Sequence, residues 1–175
     1  MSGIVWNGVI GKHTRINPGA IVYENCDIGD YTIIGSNAVL RPNTKIGHHS
    51  IFGTLSCSEG DNSIGNYTTI HAQCHITKGV TIGDNVFIAP FFIASNTPTI
   101  SIGKHGTFPA KYDWLPTIIE DNVRMGCSVR MIPGLKIGHD SIIDQDTFIT
   151  KDIPPYSHVR GGKDKVGIII GKTNK

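Results

Sequence analysis

Charge is scarce in this sequence. Charged residues make up 17% and aromatics 7%, and the formal net charge is only +2. No electrostatic footprint therefore marks nucleic acid or an anionic membrane as a partner. No apolar run approaches the roughly 20 residues that a membrane span needs, and the opening "MSGIVWNGVIGKH" lacks the hydrophobic stretch of a secretory signal. The expected compartment is the cytoplasm. Four cysteines, Cys26, Cys57, Cys74 and Cys127, form no CxxC pair and no tight framework, so they are expected to be reduced thiols packed as small core residues. A P-loop, a dinucleotide fingerprint and an HExxH zinc motif are all missing. What remains is a turn-rich, moderately apolar composition, with 21 Gly and 9 Pro in 175 residues. That suits one domain over residues 1–175 with its own core.

What the chain does have is a beat of six. Ile10, Ile16, Val22, Ile28, Ile34, Leu40, Ile46 and Phe52 fall six apart, Ser58 takes one beat, and Ile64, Ile70, Ile76, Ile82 and Ile88 continue to Ala94. A second run holds Ile119, Met125, Met131, Ile137, Ile143 and Ile149. Glycine often follows the aliphatic residue, and a small or β-branched residue stands four positions after it, as at Thr32, Ala38, Thr44 and Ser50. Neither a 3.6-residue helix nor a plain strand explains a strict period of six. A short strand and a corner, repeated, does: the bulky residue points into a narrow core, and the glycine is expected to tolerate the corner's backbone. Repeats of this length mark a solenoid, in which each rung buries its apolar side against its neighbours.

The beat breaks once. Ala94 and Ile119 are 25 residues apart, one more than four whole steps, so residues 95–118 are expected to be an inserted loop. Loops of that length inside a regular fold are uncommon unless they work. The polar "SCSEGD" reads as a second, smaller departure in the same column, with Lys78 beneath Asn96 and Gly60 beneath Lys78 if a coil takes eighteen residues. Residues 154–175 follow as a C-terminal extension, whose "VGIIIGKTNK" reads as a strand closing the bottom of the solenoid.

The motifs "IGDYTI", "IGSNAV", "IGNYTT", "IGDNVF" and "IGHDSI" resemble the hexapeptide repeats of left-handed parallel β-helix acyltransferases, over roughly Ile10 to Ile153. The resemblance implies an all-β, left-handed parallel β-helix with one long inserted loop, three hexapeptides to each triangular coil, and a homotrimer. The order "VTIGDNVFIAP", loop, "IIEDNVRMGCSVRMIPGLKIG", "FITKDIPPYSHVRGG" is similar to that of sugar acetyltransferases that use acetyl-CoA, and "TKDIPP" resembles a run of the galactoside and maltose acetyltransferases. On that likeness acetyl-CoA is the donor, a sugar the acceptor, and the site lies in a groove between subunits. Lys151 would approach the coenzyme's phosphates, and the backbone at Cys127 and Gln145 would flank its pantetheine arm. Lys163 and Lys165 are further phosphate candidates by charge alone.

Two departures bear on the chemistry. The His-Pro that opens this loop in the galactoside type is missing, and Thr97 precedes Pro98 instead. Ser95 and Asn96 look more like the "TND" of nucleotide-linked amino-sugar N-acetyltransferases. A neutral amine attacks a thioester unaided, whereas a hydroxyl needs a base, so the expected acceptor is an amino sugar. A sugar hydroxyl with a histidine base is the alternative. Asp144 and Asp146, in "IDQDT", put negative charge beside a site meant for an anion.

His71 and His75, in "TIHAQCHITKG", are expected to share a pocket with the loop, and His105 lies within it; with Asn96 they are the candidate catalytic residues. His13 and His139 read as surface residues, and His158 lies near Arg160. His48 and His49, with His71 and His75, raise a rival reading as a zinc protein like the γ-class carbonic anhydrases, which share this fold. That chemistry needs three imidazoles, yet the spacing of His71 and His75 is four rather than that family's five, and no metal is expected. A scaffold without catalysis is the last reading, since fold alone does not give function.

Overall fold

The computed structural model describes residues 3–98 and 114–173. Each beat of the sequence becomes a two-residue strand, and from Val22 onward its second residue is buried, as in Asp27–Ile28, Ile33–Ile34, Val39–Leu40 and Lys45–Ile46; Ile10 and Ile16 in the first coil are half-buried. Three strands and three corners close one coil of eighteen residues. Ile70 therefore lies between Phe52 below and Ile88 above, the chain rising toward its C-terminus. The strands stack into three parallel sheets of eight, seven and nine strands, here called A, B and C in the order the chain meets them. The result is a left-handed β-helix of about 8 turns. Among the described residues no helix is long and apolar enough to cross a membrane.

The core is a prism lined by the aliphatic beat, with Ile34, Leu40, Phe52, Ile70, Ile76 and Ile88 all fully buried. The small inward residues fill the corners, and their hydroxyls do more than fit. At the B–C corner Thr32 Oγ1 donates to Gly47 O (2.7 Å), Ser50 Oγ to Gly65 O (2.8 Å) and Thr68 Oγ1 to Gly83 O (2.8 Å). Each hydroxyl also accepts the backbone N–H one coil up, from Ser50, Thr68 and Val86 in turn. Buried hydroxyls are affordable only when paired in this way.

Two expectations are corrected here. The periodic glycines do not supply the corner's left-handed backbone: that falls to His13, Tyr31, Asn37, His49, Tyr67 and Asn85, with φ between 53° and 57°. The glycines supply room. A Cβ on Gly47 would stand 2.4 Å from Asn66 Oδ1 and 2.7 Å from the Gly65 carbonyl carbon. Nor does "SCSEGD" depart from the solenoid. Its strand Cys57–Ser58 pairs in register with those above and below, and its inward positions are polar because they bond one another. Ser58 Oγ meets Thr44 Oγ1 at 2.7 Å and accepts from Asn62 Nδ2 at 2.9 Å, while Asn62 Oδ1 accepts from Val80 N at 2.9 Å.

The insertion is where the phase slip put it. Ile82 pairs with Ile119, 37 residues on, where Ile64 pairs with Ile82 at 18. It leaves and returns at the A–B corner through a bonded neck. Leu115 N donates to Asn96 O (2.8 Å), Gly134 N to Leu115 O (2.8 Å), and Asn96 Nδ2 to Lys78 O (3.1 Å). At the C-terminal end an antiparallel hairpin, Ser157–Gly161 with Gly167–Lys172, extends sheet C. Gly167 packs there on Thr147, Ile149 and Val159 and helps close that end of the core.

Candidate active site

Two places on the outer surface gather chemistry. The first is a cleft of about 620 Å³ on sheet C and the C–A corner, lined by Phe87, Arg124, Gly126, Asp144, Gln145 and Arg160 among others. Outward side chains of successive coils form its wall, since Phe87, Arg124 and Ile142 stack in one column. Gly126 lies so close to Gln145 that a Cβ on it would stand 2.5 Å from the Gln145 amide nitrogen. One residue on, Asp146 N donates to Cys127 O at 2.7 Å. Cys127 and Gln145, eighteen apart, therefore meet at this corner, and both are exposed.

The charge at the cleft is balanced. Asp144 accepts from His158 Nε2 (2.8 Å) and Arg160 Nε (2.7 Å), and Lys165 Nζ lies 2.5 Å from Asp146 Oδ2. Burial works against the Asp144 carboxylate, but the hydrogen bonds from His158 and Arg160 outweigh it and hold the group below its ordinary range. The negative charge that the sequence placed beside an anion site is thus covered by the C-terminal hairpin. Arg124 is turned toward the backbone carbonyls of Asn85 and Val123.

The second place is sheet A just beneath the neck. His75 stands over Cys57 and under Ile93, and its Nε2 lies 2.8 Å from Glu59 Oε1. Lys78 and Asp61 pair at 2.9 Å on the adjoining corner, and Asn43 Nδ2 donates to the same carboxylate. Those bonds, Lys78 foremost, hold Asp61 below its usual value. Thr77 and Thr117, at the roots of the insertion, carry buried hydroxyls without a hydrogen-bond partner among the described residues.

The candidates of the sequence thus divide. His71 and His75 lie on different faces: His71 is exposed at the C–A corner with its ring 5.4 Å from Phe87, and His75 stands on sheet A under Ile93. Three residues, Ala72, Gln73 and Cys74, separate them across the corner between one strand's end and the next strand's start. Asn96 is buried and both ends of its amide are engaged, with Lys78 O and with Thr97 Oγ1 (3.1 Å). His105 lies outside the described residues. Lys151 is exposed at the A–B corner, across sheet A from Cys127 and Gln145, because it follows the strand Phe148–Ile149 of that sheet. Lys165 reaches the cleft's rim through Asp146, and Lys163 is exposed in the hairpin's turn. Arg124, Arg160 and Glu59 were not among the candidates. Arg124 and Arg160 stand on outward positions of sheet C, a signal readable once the eighteen-residue coil is assigned.

The histidines of the zinc reading scatter as well. His48 and His49 meet each other at the B–C corner, Nδ1 to Nδ1 at 3.0 Å, and join a stack of rings from His13 to Tyr67. Among the described residues no group of three or more His, Cys, Asp or Glu is placed to hold a metal ion.

A family model of six bacterial transferase hexapeptide repeats matches residues 7–42 and 63–91. The galactoside O-acetyltransferase of Escherichia coli K12 is 38% identical over 79 residues, which cover 43% of this chain and 37% of that protein. The chain spans only about a fifth to two fifths of the curated relatives it matches. Among solved structures, a hexapeptide-repeat acetyltransferase of Vibrio cholerae in complex with acetyl coenzyme A is 26% identical, with a TM-score of 0.53 over 71% of each chain. The UDP-N-acetylglucosamine acyltransferase of Campylobacter jejuni superposes on 98% of this chain and 73% of its own with a TM-score of 0.62; at 17% identity it speaks for the fold alone.

Proposed function

We propose that this chain, whose repeats match the bacterial transferase hexapeptides, is an acyl-CoA-dependent acyltransferase that moves an acetyl group onto a sugar. The observation that carries the reading is the sheet C cleft, with two guanidinium groups along one wall and an exposed backbone corner at Cys127 and Gln145. Coenzyme A is a long anion with its phosphates at one end and a thioester arm at the other. Guanidinium groups suit phosphate oxygens better than lysines do. Arg160 is held by Asp144 until a phosphate competes for it, while Lys163 and Lys165 remain as outer charges; Lys151 lies on the far corner. The amides flanking Cys127 donate to Ile143 O and Pro90 O. That leaves the N–H of Cys127 as the candidate donor to a thioester oxyanion, a role preformed amides fill in other acyl transfers. The similarity to a galactoside O-acetyltransferase and to an acetyl-CoA complex supports the reading.

The site is completed by a second copy. Sheet B shows solvent Asp27, Lys45, Ser63, Thr81 and Lys136 beside Val9 and Ile118, whereas sheets A and C turn out more aliphatic and aromatic residues, Ile21, Val39, Ile93, Ile51, Phe87 and Ile142, among Arg15, Arg124 and Arg130. The apolar faces meet at the C–A corner. Setting sheet C of one copy against sheet A of the next is a head-to-tail contact that closes into a ring, here a trimer. Donor cleft and insertion neck then face each other across a groove. The amino-sugar acceptor rests on the missing His-Pro, since a neutral amine needs no base, and on the likeness of Ser95 and Asn96, whose side-chain amide is engaged by Lys78 O and Thr97 Oγ1. Acetyl-CoA is expected to raise the melting temperature of the wild type saturably, and Arg124→Ala with Arg160→Ala to remove most of that shift. A wild type unmoved at millimolar acetyl-CoA would refute the reading.

A further inference from the structure

We propose that Asp144 and Asp146 compete with the coenzyme's phosphates for Arg160 and Lys165, and that this competition sets how fast product coenzyme A leaves the sheet C cleft. The inference rests on the acyltransferase reading and deepens it. The run "IDQDT" puts two carboxylates beside a cleft read as an anion site, and standing alone they would repel a phosphate. They do not stand alone. The strand Ser157–Gly161 runs parallel to Ile142–Ile143 with Val159 over Ile143, so Arg160 stands over Asp144.

Each aspartate is matched to one cation from the C-terminal hairpin. Asp144 Oδ2 accepts from Arg160 Nε at 2.7 Å, and Asp146 Oδ2 lies 2.5 Å from Lys165 Nζ. Asp144 is the more deeply committed. Alone among the ion-paired carboxylates of the described residues it faces two basic side chains, with His158 Nε2 at 2.8 Å from Oδ1. Its side chain is 26% exposed against 47% for Asp146, and charges interact more strongly where water is excluded. Arg160 is gripped by Nε and still 61% exposed, so a phosphate can approach it while the carboxylate stays in place. The two anions then share one cation. Arg124 has no such rival, since its guanidinium is turned to the uncharged carbonyls of Asn85 and Val123.

A resident rival has a use in a transferase. Coenzyme A keeps its phosphates after the acetyl group has gone, so phosphate contacts hold product as tightly as donor. Such uniform binding does not raise kcat, and it slows release. The aspartates trim it. Arg124, Arg160 and Lys165 set against Asp144 and Asp146 leave the cleft one positive charge in excess, enough to attract the coenzyme without trapping it.

The test is calorimetric binding of coenzyme A, with its dissociation rate read by stopped-flow displacement. Asp144→Asn is expected to lower Kd by about tenfold or more, chiefly through slower dissociation. The gain should shrink at about 0.5 M salt, which a merely structural effect would not do. Asp146→Asn, at the more exposed pair, should gain about 2- to 3-fold. It also carries the test alone if a melting curve shows Asp144→Asn to have lost its fold. A folded Asp144→Asn that binds coenzyme A no more tightly than the wild type would overturn the proposal and make the aspartates props for their cations, as would an Asp146→Asn without gain. A wild type that binds no coenzyme A at millimolar concentration would instead sink the acyltransferase reading itself.

Discussion

Asp144 shows how much a single residue can reveal once its partners are known. Its carboxyl titrates below the ordinary 3.8 because His158 and Arg160 bond its charged form. A depressed folded value stabilises the protein above the unfolded pKa, and that contribution is lost as pH falls through the folded one. Melting temperature should therefore drop as the pH is lowered below about 4, and Asp144→Asn should flatten that limb while lowering stability at neutral pH. An unchanged acid limb would mean that the clamp carries no weight. The thiols give a second check. Burial pushes Cys26, Cys57 and Cys74 up, whereas Cys127 is exposed at the cleft. Cys127 is expected to react with a disulfide reagent at least about tenfold faster than the other three, and mass mapping of partly labelled protein reads the order. At Gly47 the space is already taken, so Gly47→Ala should cost about 1–3 kcal/mol, measured by urea unfolding.

At the scale of elements, the coil is the unit and the corner is where function is added. Strands of two residues cannot stand alone; each is held by ladders to the coils above and below, so the solenoid's stability is a sum of neighbour terms. The insertion adds to one corner without breaking any ladder, because its neck is closed by Asn96, Leu115 and Gly134. Replacing residues 99–113 by a short Gly-Ser link should therefore shift the melting temperature by only a few degrees. A collapse of the cooperative transition would show that the neck does not hold by itself. By contrast Ile70→Ala, in the middle of the stack with 0% exposure, should cost about 2–5 kcal/mol. Legibility follows the same division. The period of six named the sheet positions, because a solenoid leaves its beat no freedom, and it marked the corner where the chain skips, although the expected insertion of 95–118 runs one residue into the strand Ile118–Ile119. It misjudged "SCSEGD", since whether an inward polar residue finds a partner depends on a neighbour four or fourteen positions away. It misplaced Lys151 because a linear motif does not say on which corner it will fall. It passed over Glu59 because a pair sixteen apart is visible only after the eighteen-residue coil is laid out.

For the whole molecule, the distribution of faces matters more than any one residue. Sheets A and C turn out more aliphatic and aromatic residues than sheet B, and under the proposed ring Phe87→Asp with Ile142→Asp is expected to give monomers in sedimentation analysis where the wild type gives trimers. A net charge of only +2 steers no polyanion to the molecule. The most direct measurement is a crystal structure of the protein grown with coenzyme A. The account expects the phosphates beside Arg124 and Arg160 on sheet C, the pantetheine arm running past Cys127 and Gln145, and its thiol opening toward His75 of a neighbouring copy. Coenzyme bound away from that cleft, or a cleft left empty at millimolar ligand, would contradict it.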